Sequence, residues 1–187
     1  LCKNMDIYND KAYDIKILKF MTKLHYDALK FNGAVYSLLG NHELMNVQGN
    51  FDYVSKQNLL SFSESKDDDI NKQINDGIKN RKNEFKPGSS LAEFLACTRQ
   101  VALVIGSNLF VHAGIEKHIA NKYSITDLNM IISLYLLDEL DNQENFSDLI
   151  DNSRSSPLWT RVFGISKKST NKETCAKLLN PLINSYK

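Results

Sequence analysis

The sequence predicts an α/β fold, on three observations. A helical pattern beginning at Asp14 closes at Asn32-Gly33 and leads straight into an apolar run, Val35 to Leu39. Two further apolar runs, Val101 to Ile105 and Leu109 to His112, flank the turn Gly106-Ser107-Asn108 and read as a β-hairpin. Long segments of helical periodicity lie between and after them. A helix that feeds a strand through a short glycine turn is a unit of layered α/β domains. At 187 residues the chain is long enough for one domain with a real core.

Composition excludes several classes. Hydrophobic content of 42% and charged content of 24% are ordinary for a globular protein. A net charge of +1 gives no field that would gather nucleic acid or an anionic membrane, so neither is an expected partner. No apolar run approaches the roughly 18 residues of a membrane span. Cys2, Cys97 and Cys175 are odd in number, far apart and without a CxxC pair. Neither a disulfide framework nor a zinc ribbon is expected, and a reducing, cytoplasmic compartment is the default. The chain opens at Leu1 with no signal-peptide pattern and stops at Tyr186-Lys187 without a cap, so it reads as a fragment.

Taken in order, residues 1–13 are polar and irregular. The first helix then places Ile17, Phe20, Met21, Leu24 and Ala28 on one face, with Asp14 able to cap it and Asn32-Gly33 to close it. His25 lies within that helix and reads as a partly buried or surface residue. Residues 61–90 are rich in serine and charge. Asp67-Asp68-Asp69 there reads as a solvated run, while Ile70, Ile74 and Ile78 fit a helix packed as a cap or insert. A short helix at 91–99, the hairpin, and an apolar helix at 124–140 follow, the last hydrophobic around much of its circumference. His118 reads as structural. The final helix opens at Thr170-Asn171-Lys172-Glu173 with capping-box spacing, and Pro181 is expected to kink it.

The chemistry concentrates in Leu38-Leu39-Gly40-Asn41-His42-Glu43-Leu44-Met45-Asn46. An apolar strand that ends at a glycine opens its C-terminal end onto a crevice, where α/β sheets hold ligands. Asn-His-Glu in that place can bind a metal, donate a proton or brace a neighbour; an ordinary polar loop has the same composition. His112 stands at a second strand end before Ala113-Gly114-Ile115 and reads equally as ligand or core residue. Arg161, beside the single Trp159, reads as packing plus surface charge.

Gly40-Asn41-His42-Glu43 with Leu44-Met45-Asn46 and Gly49-Asn50-Phe51-Asp52-Tyr53-Val54 resembles calcineurin-like metallophosphatases. More narrowly it is similar to the Shewanella-like, bacterial-type branch of Ser/Thr protein phosphatases. Phe110-Val111-His112-Ala113-Gly114-Ile115 and Pro157-Leu158-Trp159-Thr160-Arg161 are similar to later motifs of that family. The resemblance implies a metallophosphatase-type α/β fold, a two-sheet β-sandwich flanked by helices and incomplete here, with residues 1–187 as one partial domain. It implies hydrolysis of a phosphoprotein or small phosphomonoester at two divalent ions (manganese, iron or zinc) about 3.5–4 Å apart. Carried over, Asn41 and His112 would bind one metal, His42 would protonate the departing oxygen, and Arg161 would clamp phosphate. Glu43 would brace the loop.

The departures are specific. The family's Gly-Asp-x-His-Gly, Gly-Asp-x-x-Asp-Arg and last Gly-His motifs are absent, and Leu39 replaces the Arg that precedes Gly-Asn-His-Glu in eukaryotic members. The fragment alone is therefore expected to be inactive. The alternatives are a phosphatase scaffold kept for binding or regulation, and a nucleotide-directed phosphoesterase. Geometry decides first: Asn41 and His112 must converge on one cation-sized point.

Overall fold

A computed structural model describes residues 12–151, 154–164 and 172–186. The chain divides into two compact units. One comprises Leu1–Ser37, His42–Arg99 and Leu136–Asp138; the other comprises Leu38–Asn41, Gln100–Tyr135 and Glu139–Lys187.

In the first unit, α1 (Tyr13–Leu29) forms where expected but turns a different face inward. Ala12, Ile15 and Thr22 are buried, whereas Ile17, Phe20 and Leu24 are exposed. Polar bonds settle the choice between the two stripes. Buried Arg99 donates to Thr22 Oγ1 at 2.8 Å and to the Leu18 carbonyl at 2.8 Å, drawing that side of the helix inward. The N-cap position is Ala12, and Asp14, in the first turn, accepts from the first-turn Ile15 N–H at 2.9 Å, as expected, and from Arg81 Nη2 at 2.5 Å. The close at Asn32-Gly33 forms as expected, with Asn32 at φ 58° and the Gly33 N–H on the Ala28 carbonyl at 3.0 Å. His25 Nδ1 pairs with the Val35 carbonyl at 2.7 Å, which holds the following segment to α1.

Helix α2 (Asn41–Val47) follows, then α3 (Lys56–Leu60), α4 (Ile70–Phe85) and α5 (Ser90–Thr98). The acidic run ends as a helix cap: Asp69 accepts from the Asn71 N–H at 2.9 Å, and Asp67 from Lys72. On α4 the buried residues are Gly77, Arg81 and Phe85, one turn apart, while Ile70 is exposed. Gly77 is required by close approach. A Cβ there would lie 2.0 Å from the Leu59 carbonyl oxygen, so α3 and α4 meet backbone to backbone.

In the second unit, β1 (Ala102–Ile105) and β2 (Asn108–Val111) form the expected antiparallel hairpin, with Ala102 opposite Val111 and Ile105 opposite Asn108. Gly106, at φ 59°, takes the first place of a two-residue turn. Helix α6 (Lys117–Lys122) and helix α7 (Ile125–Leu136) follow. Ser124 and Asp127 cap α7 reciprocally, the serine Oγ accepting from the Asp127 N–H and the carboxylate from the Ser124 N–H. Helix α8 (Ser147–Ile150) and helix α9 (Lys172–Ser185), which continues through Pro181, complete the unit. The capping box expected at Thr170 lies outside the described residues. Cys97 is disulfide-bonded, against expectation, and Cys175 is an exposed free thiol.

The expected two-sheet β-sandwich is not found. Among the described residues the chain is mainly helical, with one two-stranded sheet. The run at 35–39 is extended but makes a single parallel bridge, Leu38 to Gln100, with the Leu39 N–H on the Gln100 carbonyl at 2.9 Å. An apolar run becomes a strand only when another strand lies alongside it. At the start of β1 a side chain takes that place. Asn129 Oδ1 accepts from the N–H groups of Val101 and Ala102, and its Nδ2 donates to the Ala102 carbonyl.

Gly77→Ala should lower the stability of the chain by about 1–3 kcal/mol, because the methyl group meets backbone that cannot step aside. A urea midpoint unchanged from wild type would show that α3 and α4 can separate without cost.

Candidate functional site

Two clusters hold the residues singled out above, one in each unit. In the second unit, Asn41 is 5% exposed and His112 is exposed, and Nε2 of the imidazole lies 2.9 Å from Oδ1 of the carboxamide. An amide oxygen only accepts, so this contact has Nε2–H donating. Buried Asn41 needs a partner for that oxygen, and the exposed ring supplies it from outside.

The loop that carries His112 is fixed from below. The N–H groups of Ala113 and Gly114 approach the Pro157 carbonyl at 3.2 and 3.3 Å. A Cβ on Gly114 would sit 2.3 Å from the ring of Phe163 and 3.1 Å from Thr160 Cγ2. The Pro-Leu-Trp segment thus braces the histidine loop. Arg161, from the same segment, is exposed and turns Nη1 onto the carbonyls of Trp159 and Thr160 at 3.0 and 3.4 Å. Its planar fork is engaged locally.

In the first unit, exposed His42 borders a polar cavity of about 220 Å³, whose walls include Asp14, Asn46, Asn50, Tyr53 and Arg81. The imidazole stacks on Tyr53, with centroids 4.9 Å apart and planes 31° apart. Asn46 Nδ2 donates to the His42 carbonyl at 2.7 Å and fixes the first turn of α2. Glu43 lends its charge to Arg99. Burial depresses the Arg99 guanidinium below its ordinary range, and the Glu43 carboxylate opposes that shift. Arg81 and Asn46 escaped the sequence reading. The signal that marks them is the i, i+4 row Gly77-Arg81-Phe85, in which an arginine shares a helical face with a glycine and a phenylalanine.

Two adjacent dications repel strongly and need carboxylates between them. Among the described residues no group of three or more His, Cys, Asp or Glu side chains is gathered to hold a metal. The Asn41–His112 pair offers two neutral donors, so the described residues alone do not fit a dinuclear centre.

No protein-family profile matches the chain. It is 42% identical over 163 residues to an uncharacterised protein of Acanthamoeba polyphaga mimivirus, covering 81% of this chain and 64% of that protein. It is 24% identical to Shewanella-like protein phosphatase 2 of Arabidopsis thaliana, over 95% of this chain and 51% of that protein. For Shewanella-like protein phosphatase 1 of Plasmodium berghei the identity is 25%, over 97% and 47%. Among solved structures, a mutant cold-active protein tyrosine phosphatase superposes with a TM-score of 0.61 at 21% identity, covering 88% of this chain and 46% of that one. The chain is thus distantly related to phosphatases and shares its fold with part of one. It spans about half to two-thirds of the length of these curated relatives.

Gly114→Ala should force Phe163 or the loop aside, costing about 1–3 kcal/mol and loosening the His112–Asn41 bond. Amide chemical shifts at 111–115 that match wild type, with unchanged thermal stability, would contradict the bracing role.

Proposed function

We propose that this chain carries part of the site of a metal-dependent phosphomonoester hydrolase, most closely of the Ser/Thr protein phosphatase kind. The observation that supports it best is the meeting of Asn41 and His112, 71 residues apart in sequence, at 2.9 Å. These are the two positions that the family's pattern assigns to one metal. The distant relationship to Shewanella-like phosphatases supports the same reading.

In this reading His42, the residue after Asn41, gives its proton to the departing oxygen. Histidine is the side chain most often placed for such a proton transfer, and it must lie within hydrogen-bond reach of the oxygen it serves. A seryl or threonyl alkoxide is a much stronger base than a phenolate, so proton donation matters most for those substrates. Arg161 would reach phosphate only by releasing its local carbonyls. A second reading, a phosphatase scaffold kept for binding, is favoured by one observation: the described donors are neutral and already satisfy each other.

The test is hydrolysis of a phosphoserine peptide and of nitrophenyl phosphate, with manganese, by the complete gene product. Turnover is expected, and His42→Ala should lower it about 10²–10⁴-fold on the peptide and less on the aryl ester. The 187 residues alone should show no turnover above their own His42→Ala control. A complete product without metal-dependent turnover, or one indifferent to His42→Ala, would replace the enzyme with the binding module.

A further inference from the structure

Arg81 is an odd core residue. It is 1% exposed, and its Nη1 has no hydrogen-bond partner among the described residues. Its other groups are engaged: Nε donates to Asn46 Oδ1 at 2.8 Å and Nη2 to Asp14 Oδ2 at 2.5 Å. The guanidinium carbon lies 4.7 Å from the ring of Phe85, 4.9 Å from Phe62 and 5.8 Å from Phe51. A buried guanidinium with an idle N–H is not the cheapest way to fill such a space; a methionine would pack there at less desolvation cost. Stability alone does not account for an arginine at this point.

Its partners do. Asn46, held at its oxygen by Arg81, donates from its nitrogen to the His42 carbonyl. Phe51 lies in the loop that carries Tyr53, the ring on which His42 stacks. That loop is closed by the Asn50 N–H on the Met45 carbonyl and the Val54 N–H on the Phe51 carbonyl, both at 2.9 Å. One guanidinium therefore touches both supports of the imidazole: the helical turn beneath it and the loop beside it.

We propose that Arg81 is the positioning residue for His42, acting through Asn46 and through the Phe51–Tyr53 loop. Helix α4, expected to be a cap, is on this account a fixed wall of the His42 cavity. The proposal gains its functional meaning from the reading of His42 as the acid, but it concerns where the ring sits and not whether phosphate is turned over. A lysine cannot replace the arginine, because one ammonium lacks the fork that reaches Asn46 and Asp14 together.

The experiment is NMR of the 187-residue chain at fixed pH, reading the ring-proton shifts of His42 and the cross-relaxation between His42 and Tyr53. In Arg81→Met the chain should remain folded, with thermal stability equal to wild type or higher. The His42–Tyr53 cross-peaks should be lost and the ring shifts should move to random-coil values, while the His112 signals stay in place. Arg81→Lys should not restore the cross-peaks, and Asn46→Ala should weaken them. If Arg81→Met fails to fold, Arg81→Lys carries the test. Cross-peaks and shifts identical to wild type in a folded Arg81 variant overturn the proposal whether or not the protein hydrolyses phosphate. Absent hydrolysis with displaced cross-peaks overturns only the enzymatic reading.

Discussion

The contact between His112 Nε2 and Asn41 Oδ1 joins two segments that the sequence keeps 71 residues apart. Each segment reaches it by a different route. Leu39 and Gly40, both buried, bring the carboxamide to the end of an extended segment anchored on Gln100. The hairpin and the Pro157 carbonyl bring the imidazole. Nε2 cannot donate its proton to Oδ1 and also offer a lone pair to another centre. The pair is thus a structural bond, and in the proposed reading the same two atoms would have to part before either could bind a metal.

The first unit buries two guanidiniums, and the comparison is instructive. Arg99 spends its donors on Thr22 Oγ1 and the carbonyls of Leu18 and Thr98, and lies over Phe94. Its work is to hold α1. Arg81 also reaches α1, through Asp14, but sends another donor toward α2, and its Nη1 has no partner among the described residues. Aromatic faces solvate both cations where water does not reach. The difference in hydrogen-bond partners separates an arginine that fastens helices from one that also governs the surroundings of His42.

What could be read in the sequence follows from how local the cause is. The Gly106-Ser107 turn and the close at Asn32-Gly33 depend on residues within a few positions and appear where turn chemistry puts them; a helix also forms within 61–90, but it buries Gly77, Arg81 and Phe85 and leaves Ile70 exposed. The run at 35–39 was legible as an approach to Gly40, but not as an isolated bridge. Strand formation depends on a neighbour that local sequence does not name, and near β1 that neighbour is the side chain of Asn129. Helix α1 has two apolar stripes, and the contest was decided by Arg99, far along the chain. Arg81 was hidden because a charged residue on an otherwise polar helix reads as solvated until its glycine and phenylalanine neighbours are noticed.

The most direct test of the central contact is the His112 Nε2 proton itself, observed at low temperature in the uniformly 15N-labelled chain. A slowly exchanging Nε2–H with cross-relaxation to the Asn41 side chain, absent in Asn41→Ala, is the predicted result. An Nε2–H that exchanges as fast in the wild type as in Asn41→Ala would mean that the two segments do not converge, and the phosphatase-type site would lose its foundation.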